Sequence, residues 1–453
     1  MIRYALLASC AAVGLSSLGS SRCSAVDLTP VIPTEVSPRA QIEFDAFGWK
    51  EFVALNWPAN ADGTPNTTIT IGQSDDVARV WQFWMGPSAV FKSDGSKPTW
   101  TPGAGLTSYQ LTKAPDDIAT PFVDALHFPI VDQDRNFAVL GLGMNKVMFD
   151  YIVENNLYNK EGQRTGADGN RLPIGKEKFV SFPRGSMEIK TAWRMFPEHP
   201  SPADLELMKR YYITKSTVRI AARNSRDSKD REIVANLGLV AMHIVQKTPQ
   251  DPQWVWSTFE QIDNLIPAPN QTKATFRNPT EPDQNPILTP VPPGVIPNIA
   301  DPTKPYAQPY LWDLAAPFAT PNQRIPTQVN RVTPIMMTAQ DNNIIWQRSL
   351  KEVSADSKWQ YYQTIGTQWP TKPYARKPGE TPMLERFIEP PGSNPTIATY
   401  EGAPEPAKLA NIPMEVYNQK TSSCIVCHSK AFTTNGDYSD FSYLLQLAKP
   451  KQQ

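Results

Sequence analysis

Cys424, Cys427 and His428 stand in the order C-x-x-C-H near the C-terminal end of a 453-residue chain. Residues three and four apart on a helix are neighbours on its surface, so two thiols and an imidazole at this spacing can reach one planar group together. Two thioether bonds at a macrocycle edge and one imidazole–iron bond are the chemistry this pattern serves, attachment of a single haem c. His428 is then the proximal iron ligand. Two other chemistries use close cysteine pairs. A redox disulfide needs only the two thiols, whereas a structural zinc needs about four ligands. No second cysteine pair or histidine cluster is present, which counts against zinc.

No His or Met follows His428, so a second iron ligand, if the protein supplies one, comes from far upstream. The histidines there are His127, His199 and His243. His243 lies in the apolar run Leu237–Lys247 and must be satisfied, either by a backbone hydrogen bond in the core or by work beside the haem. It is the distal-ligand candidate. His199 sits in a loop between Glu198 and Pro200 and is expected to be exposed. Met242, Met187 and Met414 are the methionine candidates, against the ordinary role of methionine as core filler. Glu188 and Lys190, two residues apart, share one face of their strand. If that strand neighbours the one carrying His243, the three form a polar cluster on a sheet face, an active site or, more ordinarily, a solvated surface.

Composition narrows the classes of function. Lys+Arg and Asp+Glu are 44 each, so the net charge is zero, which argues against a nucleic-acid binder or a basic membrane-surface protein. Twelve Trp supply a large core, and 45 Pro imply long, stiffened connections. The start reads as an export signal over residues 1–25, with Arg3, an apolar stretch from Tyr4 to Leu18, and small residues at Cys23-Ser24-Ala25. Cys10 also stands in a lipobox-like Leu7–Cys10, but with too short an apolar stretch before it. Cleavage after Ala25 would remove Cys10 and Cys23 and leave Cys424 and Cys427 as the only cysteines, with no disulfide framework. No later segment has the roughly 18 uninterrupted apolar residues of a membrane span.

The elements that must position the motif are expected to be α+β, an antiparallel sheet core flanked by helices and long proline-rich loops, with short haem-bearing helices at the C-terminus. Residues 39–57 predict a helix with Ile42, Ala46, Trp49 and Val53 on one face, and residues 145–159 another. Asp75-Asp76 can cap a short helix running to Trp84. Alternation predicts strands at Gly185–Trp193, Tyr211–Ala221 and Leu237–Gln246. Trp254, Trp256 and Phe259 are large anchors for a core or a pocket. A helix is expected at 339–353 with Ile344, Ile345 and Leu350 inward. Residues 267–326 form a proline-rich excursion within a large body spanning 26–400. Its Tyr306, Tyr310, Leu311, Trp312 and Phe318 suggest packing on that body. The remaining 401–453 are expected to form a haem-attachment segment packed on the body, with short helices at Glu415–Lys420 and Ser422–His428 and the run Asp440–Leu445 closing it.

The segments WKEFVALNWP (49–58), VWQFW (80–84), GSMEIKTAW (185–193), MHIVQKTPQDPQWVWSTFEQIDN (242–264), SCIVCHSKA (423–431) and DFSYLL (440–445), taken in order, resemble a family of large exported bacterial proteins described as cytochrome c family proteins. The resemblance covers most of the chain after the leader, and its specificity for haem rests on the 423–431 segment. It implies covalent haem and electron transfer and no defined substrate, with Cys424 and Cys427 as thioether residues and His428 as iron ligand. Unlike small carriers, the chain lacks a downstream Met.

Three functions follow as expectations. The first is an exported, periplasmic monohaem cytochrome exchanging electrons with a redox partner. The second is a haem oxidoreductase with an open distal iron site acting on a small molecule. The third is a ligand- or partner-binding module with an accessory haem. A simple electron carrier needs on the order of a hundred residues to shield a haem, and the excess here argues for recognition of something else as well.

Overall fold

The computed structural model describes residues 25–74, 77–104, 108–110, 130, 132–134, 136, 138–166, 168–173, 176, 178–220, 229–280, 326, 328–380, 402–416, 419–420 and 422–452. The expected leader up to residue 24, the Asp75-Asp76 cap, His127 and the aromatic residues from Tyr306 to Phe318 lie outside these.

The chain forms an α+β structure. In order it contains α1 (Gln41–Leu55), α2 (Pro87–Val90), β1 (Ser108–Gln110), β2 (Val139–Met144), α3 (Lys146–Glu154), α4 (Lys160–Gln163), β3 (Met187–Phe196), α5 (Pro202–Met208), β4 (Ile213–Ile220), β5 (Arg231–Gln246), β6 (Val255–Gln261), α6 (Met337–Val353), β7 (Tyr362–Pro370), β8 (Pro404–Glu405) and α7 (Cys424–His428). The eight strands form one hydrogen-bonded sheet in the order β3-β2-β1-β4-β5-β6-β7-β8, with β3 also paired to β5. The pairing β1–β4 is parallel and the others are antiparallel. The long strand β5 carries β4 and then β6 along one edge and β3 along the other. The pairings among β1 to β5 therefore close a five-membered ring, and β6, β7 and β8 extend the sheet from the second half of β5.

Register settles which side chains share a face, because successive side chains in a strand alternate. Met187, Ile189, Met242, Ile244 and Phe259 face α1 and α6 in the largest core, with Trp49, Phe52, Trp346 and Trp359. Phe52 stacks on Phe259 at 4.3 Å, and Trp49 lies parallel to Trp346 at 5.8 Å. Helix α1 approaches β6 and β7 so closely that a Cβ at Gly48 would stand 2.6 Å from Thr367 Oγ1 and 2.8 Å from Ser257 Oγ.

Three expectations change in detail. Helix α3 begins at the predicted place, with Asn145 capping the Met148 N–H, but ends at Glu154. Ile344 is exposed on α6, whose buried face is Ala339, Asn342, Asn343, Trp346, Ser349 and Leu350. The amides belong there because Asn343 accepts from Trp49 Nε1 and Thr364 N and donates to Thr364 O. Residues 412–416 form turns rather than the start of a helix.

Helix α1 also buries two acids against the sheet. Asp45 accepts the Thr367 N–H at 2.8 Å, and burial raises its pKa to about 6. Glu51 accepts only the Ser257 hydroxyl at 2.7 Å, its Oε1 has no partner among the described residues, and burial raises its pKa well above the ordinary value. A carboxyl whose folded pKa lies above its unfolded value of about 4.3 contributes stability fully present below that value. That contribution is lost as pH rises toward the folded value, by about 1.4 kcal/mol per pH unit in between. Glu51→Gln, which cannot ionise, is therefore expected to match the parent within about 1 kcal/mol at pH 4 and to exceed its stability at pH 8, as read by urea unfolding at the two pH values.

Candidate functional site

The face of the sheet opposite α1 and α6 presents two rows of side chains. One row, read across five strands, is Met144, Glu188, Val245, Trp256 and Gln368; the next is Leu142, Lys190, His243, Thr258 and Gly366. The expected juxtaposition of Glu188, Lys190 and His243 therefore exists, with Lys190 and His243 directly opposite each other. It is not a solvated surface. The C-terminal segment lies over both rows and bonds to them.

Five side chains make most of this seam. Gln368, fully buried on β7, accepts the Ile425 N–H at 2.8 Å and the Ser423 hydroxyl at 3.1 Å, and donates to Pro406 O at 2.6 Å. It thereby caps the N-terminus of α7, which Ser423 itself does not cap. Asn411 donates to Thr258 Oγ1 and Phe259 O, both at 2.9 Å. Glu260 accepts the Ile412 N–H at 2.6 Å, and Glu188 accepts the Ser442 hydroxyl. Burial raises the Glu188 pKa to about 7. Asp440 accepts the Phe182 N–H at 2.7 Å and the Lys247 ammonium, forming a buried ion pair.

Helix α7 presents Cys424, Cys427 and His428 half-buried, while Ile425 is fully buried beneath it. The two cysteines are not joined to each other. His428 packs against Trp256, ring centres 4.4 Å apart, and Tyr443, 5.1 Å apart. Its Nδ1–H donates to Phe441 O at 2.8 Å, which fixes the tautomer and leaves Nε2 as the lone-pair nitrogen. Nε2 has no hydrogen-bond partner among the described residues. Burial, opposed by the bond to Phe441 and aided by the cationic Lys190, lowers the His428 pKa to about 4, so the ring is neutral near pH 7. The carbonyl is aimed by two successive residues in the left-handed backbone region, Asp440 (φ 51°) and Phe441 (φ 69°).

The thiols separate the alternative chemistries. Burial and the nearby Glu415 carboxylate push the Cys424 pKa up, and burial raises that of Cys427. Reactive redox cysteines show the opposite shift, toward thiolate. Among the described residues no group of three His, Cys, Asp or Glu side chains converges as a metal site. The set instead fits covalent haem: two unpaired neutral thiols on one helical turn, and a neutral imidazole held by its outer nitrogen with the inner one free.

The other candidates fall as follows. His243 is half-buried, and its Nε2 lies 3.3 Å from Glu415 Oε1 rather than on a backbone group. His199 is exposed. Met187 and Met242 are buried on the opposite face of the sheet, under α1 and α6, because their residue parity differs from that of Glu188 and His243. Met414 is buried with Ile412, Val416, Leu140, Ala192 and Ala241, on the same sheet face as His243. Trp256 lies against His428, while Phe259 faces α1. Glu415, Gln368 and Phe441 were not singled out from the sequence. Nothing local marks Glu415 or the Phe441 carbonyl, but Gln368 could have been placed by recognising β7.

No protein-family model matches the chain, and neither the curated proteins nor the solved structures give a match. Among the described residues no helix is long and apolar enough to cross a membrane.

Gln368→Leu tests the seam. It strands the Ile425 N–H, the Ser423 hydroxyl and Pro406 O, and an unsatisfied buried group costs about 1–3 kcal/mol. The variant is expected to lose about 2–3 kcal/mol in urea unfolding, with limited proteolysis cutting the C-terminal segment before the body.

Proposed function

We propose that this chain is an exported c-type monohaem protein that exchanges electrons with a periplasmic redox partner. Cys424 and Cys427 would hold the macrocycle through thioether bonds, and His428 Nε2 would bind the iron. Haem held there would supply one-electron exchange. The protein's own groups do the rest. Phe441 O holds the imidazole in the metal-binding tautomer, Trp256 and Tyr443 fix its plane, and Gln368 anchors the helix that carries all three donors. The observation that carries this reading is the His428 Nδ1–H bond to Phe441 O beside two unpaired thiols. The motif's spacing and the resemblance to exported cytochrome c family proteins support it further.

A second reading has its own observation. Polar side chains on the sheet face under the C-terminal segment include Lys190 and His243, with Glu415 above them, whereas Met187 and Met242 lie on the opposite face. Polar surroundings of this kind suit a haem oxidoreductase acting on a small molecule.

The test is expression of the full chain with its leader in a host that performs c-type haem maturation. The expected product keeps one haem through denaturation, detected by intact mass and by haem-linked peroxidase staining of the denatured band. Cys424→Ser together with Cys427→Ser is expected to abolish that signal, and His428→Ala to keep the mass while shifting the Soret band. Exported chain without covalent haem, from cells that load a control cytochrome, would sink the proposal.

A further inference from the structure

Between the C-terminal segment and the body lies a cavity of about 330 Å³, within the size range of small-molecule pockets. It is bounded by Tyr438, Asp440 and Phe441 of the segment and by Lys247, Thr248 and Pro249 just after β5. Cys424, Cys427 and His428 do not line it.

Its charge is one-sided. Arg184, Lys247 and Arg376 line it against a single acid, Asp440, in a chain whose net charge is zero. Lys247 is spent on that acid, with Nζ 2.5 Å from Asp440 Oδ2. Arg376 is fixed in place. Its guanidinium carbon lies 4.2 Å from the Tyr438 ring centre and 5.4 Å from that of Phe179, and its Nη1 donates to Glu380 O at 3.2 Å. Arg184 is different. It is exposed, and among the described residues it makes no hydrogen bond or ion pair. A cation on a cavity already rich in positive charge is well placed to meet an incoming anion.

The walls decide what kind of anion. A phosphate-like group is bound by several N–H donors converging on its oxygens. Here Pro183, Pro249 and Pro252 offer none. Two of the hydroxyls are also committed, that of Tyr374 to Glu380 at 2.5 Å and that of Thr248 to Asp251 at 2.8 Å. What the walls do offer is flat apolar surface, the rings of Phe179 and Tyr374 beside those prolines.

We propose that this cavity binds a small aromatic monocarboxylate, its carboxylate on the Arg184 guanidinium and its ring against Phe179, Tyr374 and the prolines. A guanidinium matches a carboxylate with two parallel hydrogen bonds. The site stands apart from the haem reading. It adjoins the motif all the same, because Phe441, which lines the cavity, also offers its carbonyl to His428 Nδ1.

Benzoate is the probe, titrated by calorimetry into the purified full chain, with benzamide as its neutral counterpart and inorganic phosphate as competitor. The parent is expected to bind one benzoate saturably and benzamide about tenfold more weakly. Arg184→Gln is expected to weaken benzoate about fivefold to tenfold, the lower end for a charge-assisted bond because Arg184 is exposed, and to leave benzamide unchanged. Its stability in urea is expected to stay within about 0.5 kcal/mol of the parent, as for other surface substitutions. Tyr374→Ala is expected to weaken both ligands about threefold to tenfold, which separates the ring contact from the charge. The proposal is overturned if benzoate binding does not saturate, if benzamide binds as tightly as benzoate, or if Arg184→Gln binds benzoate as the parent does. It is equally overturned if Tyr374→Ala leaves both ligands unchanged, or if inorganic phosphate displaces benzoate at equal concentration. A chain that lacks covalent haem overturns the haem reading alone, since none of these measurements uses the haem.

Discussion

A helix of five residues cannot hold itself. Nucleation costs more than one turn of hydrogen bonds returns, and isolated helices under about 12 residues are marginal in water. Helix α7 is such a helix, and the relative placement of Cys424, Cys427 and His428 depends on it. The buried amide of Gln368 supplies what the helix lacks, accepting from the Ile425 N–H and the Ser423 hydroxyl while donating to Pro406 O. One residue of β7 thus fixes both the start of the helix and the strand-like stretch leading to it. The rest of the site follows from that docking. With α7 set over Trp256, the His428 ring meets the indole face, and the chain beyond returns so that Phe441 O meets Nδ1.

That return is itself held under load. A phenylalanine in the left-handed region is unfavourable, of order 1–3 kcal/mol, and persists only where its surroundings over-determine it. Here they do. Asp440 is clamped by Lys247 and by the Phe182 N–H, and Ser442 by Glu188. Removing one partner of a buried ion pair costs about 3–5 kcal/mol, more than the strain it restrains. Lys247 and Glu188 sit at the ends of β5 and β3, so the strands that build the floor of the site also set the direction of the carbonyl above it.

The sequence made β3 and β5 legible because their period-two alternation is driven by burial of one face, and that alternation put Glu188 and Lys190 on one face; their meeting with His243 depended on the two strands pairing, which they do. It could not say that the polar face was covered, since the covering segment is about two hundred residues away in the chain. Strand β7 was not anticipated, because Thr364, Gly366, Thr367 and Gln368 give no apolar alternation, although each is buried. The inward face of α6 was misphased for a related reason. Asn342 and Asn343 occupy it to satisfy the β7 and α1 groups they touch, and a hydrophobicity pattern rejects them. The donors Cys424, Cys427 and His428 were visible because their chemistry is local. Glu415 and the Phe441 carbonyl were not, because their roles exist only after the chain has folded back on the sheet.

The width of the sheet gives the size of the chain a physical meaning. Each of the two rows under the C-terminal segment draws one residue from each of β2, β3, β5, β6 and β7. One row is dominated by packing and by anchoring bonds, with Trp256 and Gln368 as its working members. The next holds Lys190 and His243 with Glu415 above them. The row that anchors α7 carries one acid, Glu188, and the row of Lys190 and His243 lies one residue pair away along the strands. In a sheet, moving from one row to the next on the same face advances about 6.5–7 Å. A fold that separates anchoring from charge by that step can seat an imidazole rigidly against Trp256 while polar side chains stand one row away. A single small helical shell has fewer places to put such a second row, and that is a reason for a proposed haem protein of this kind to be built on a large sheet.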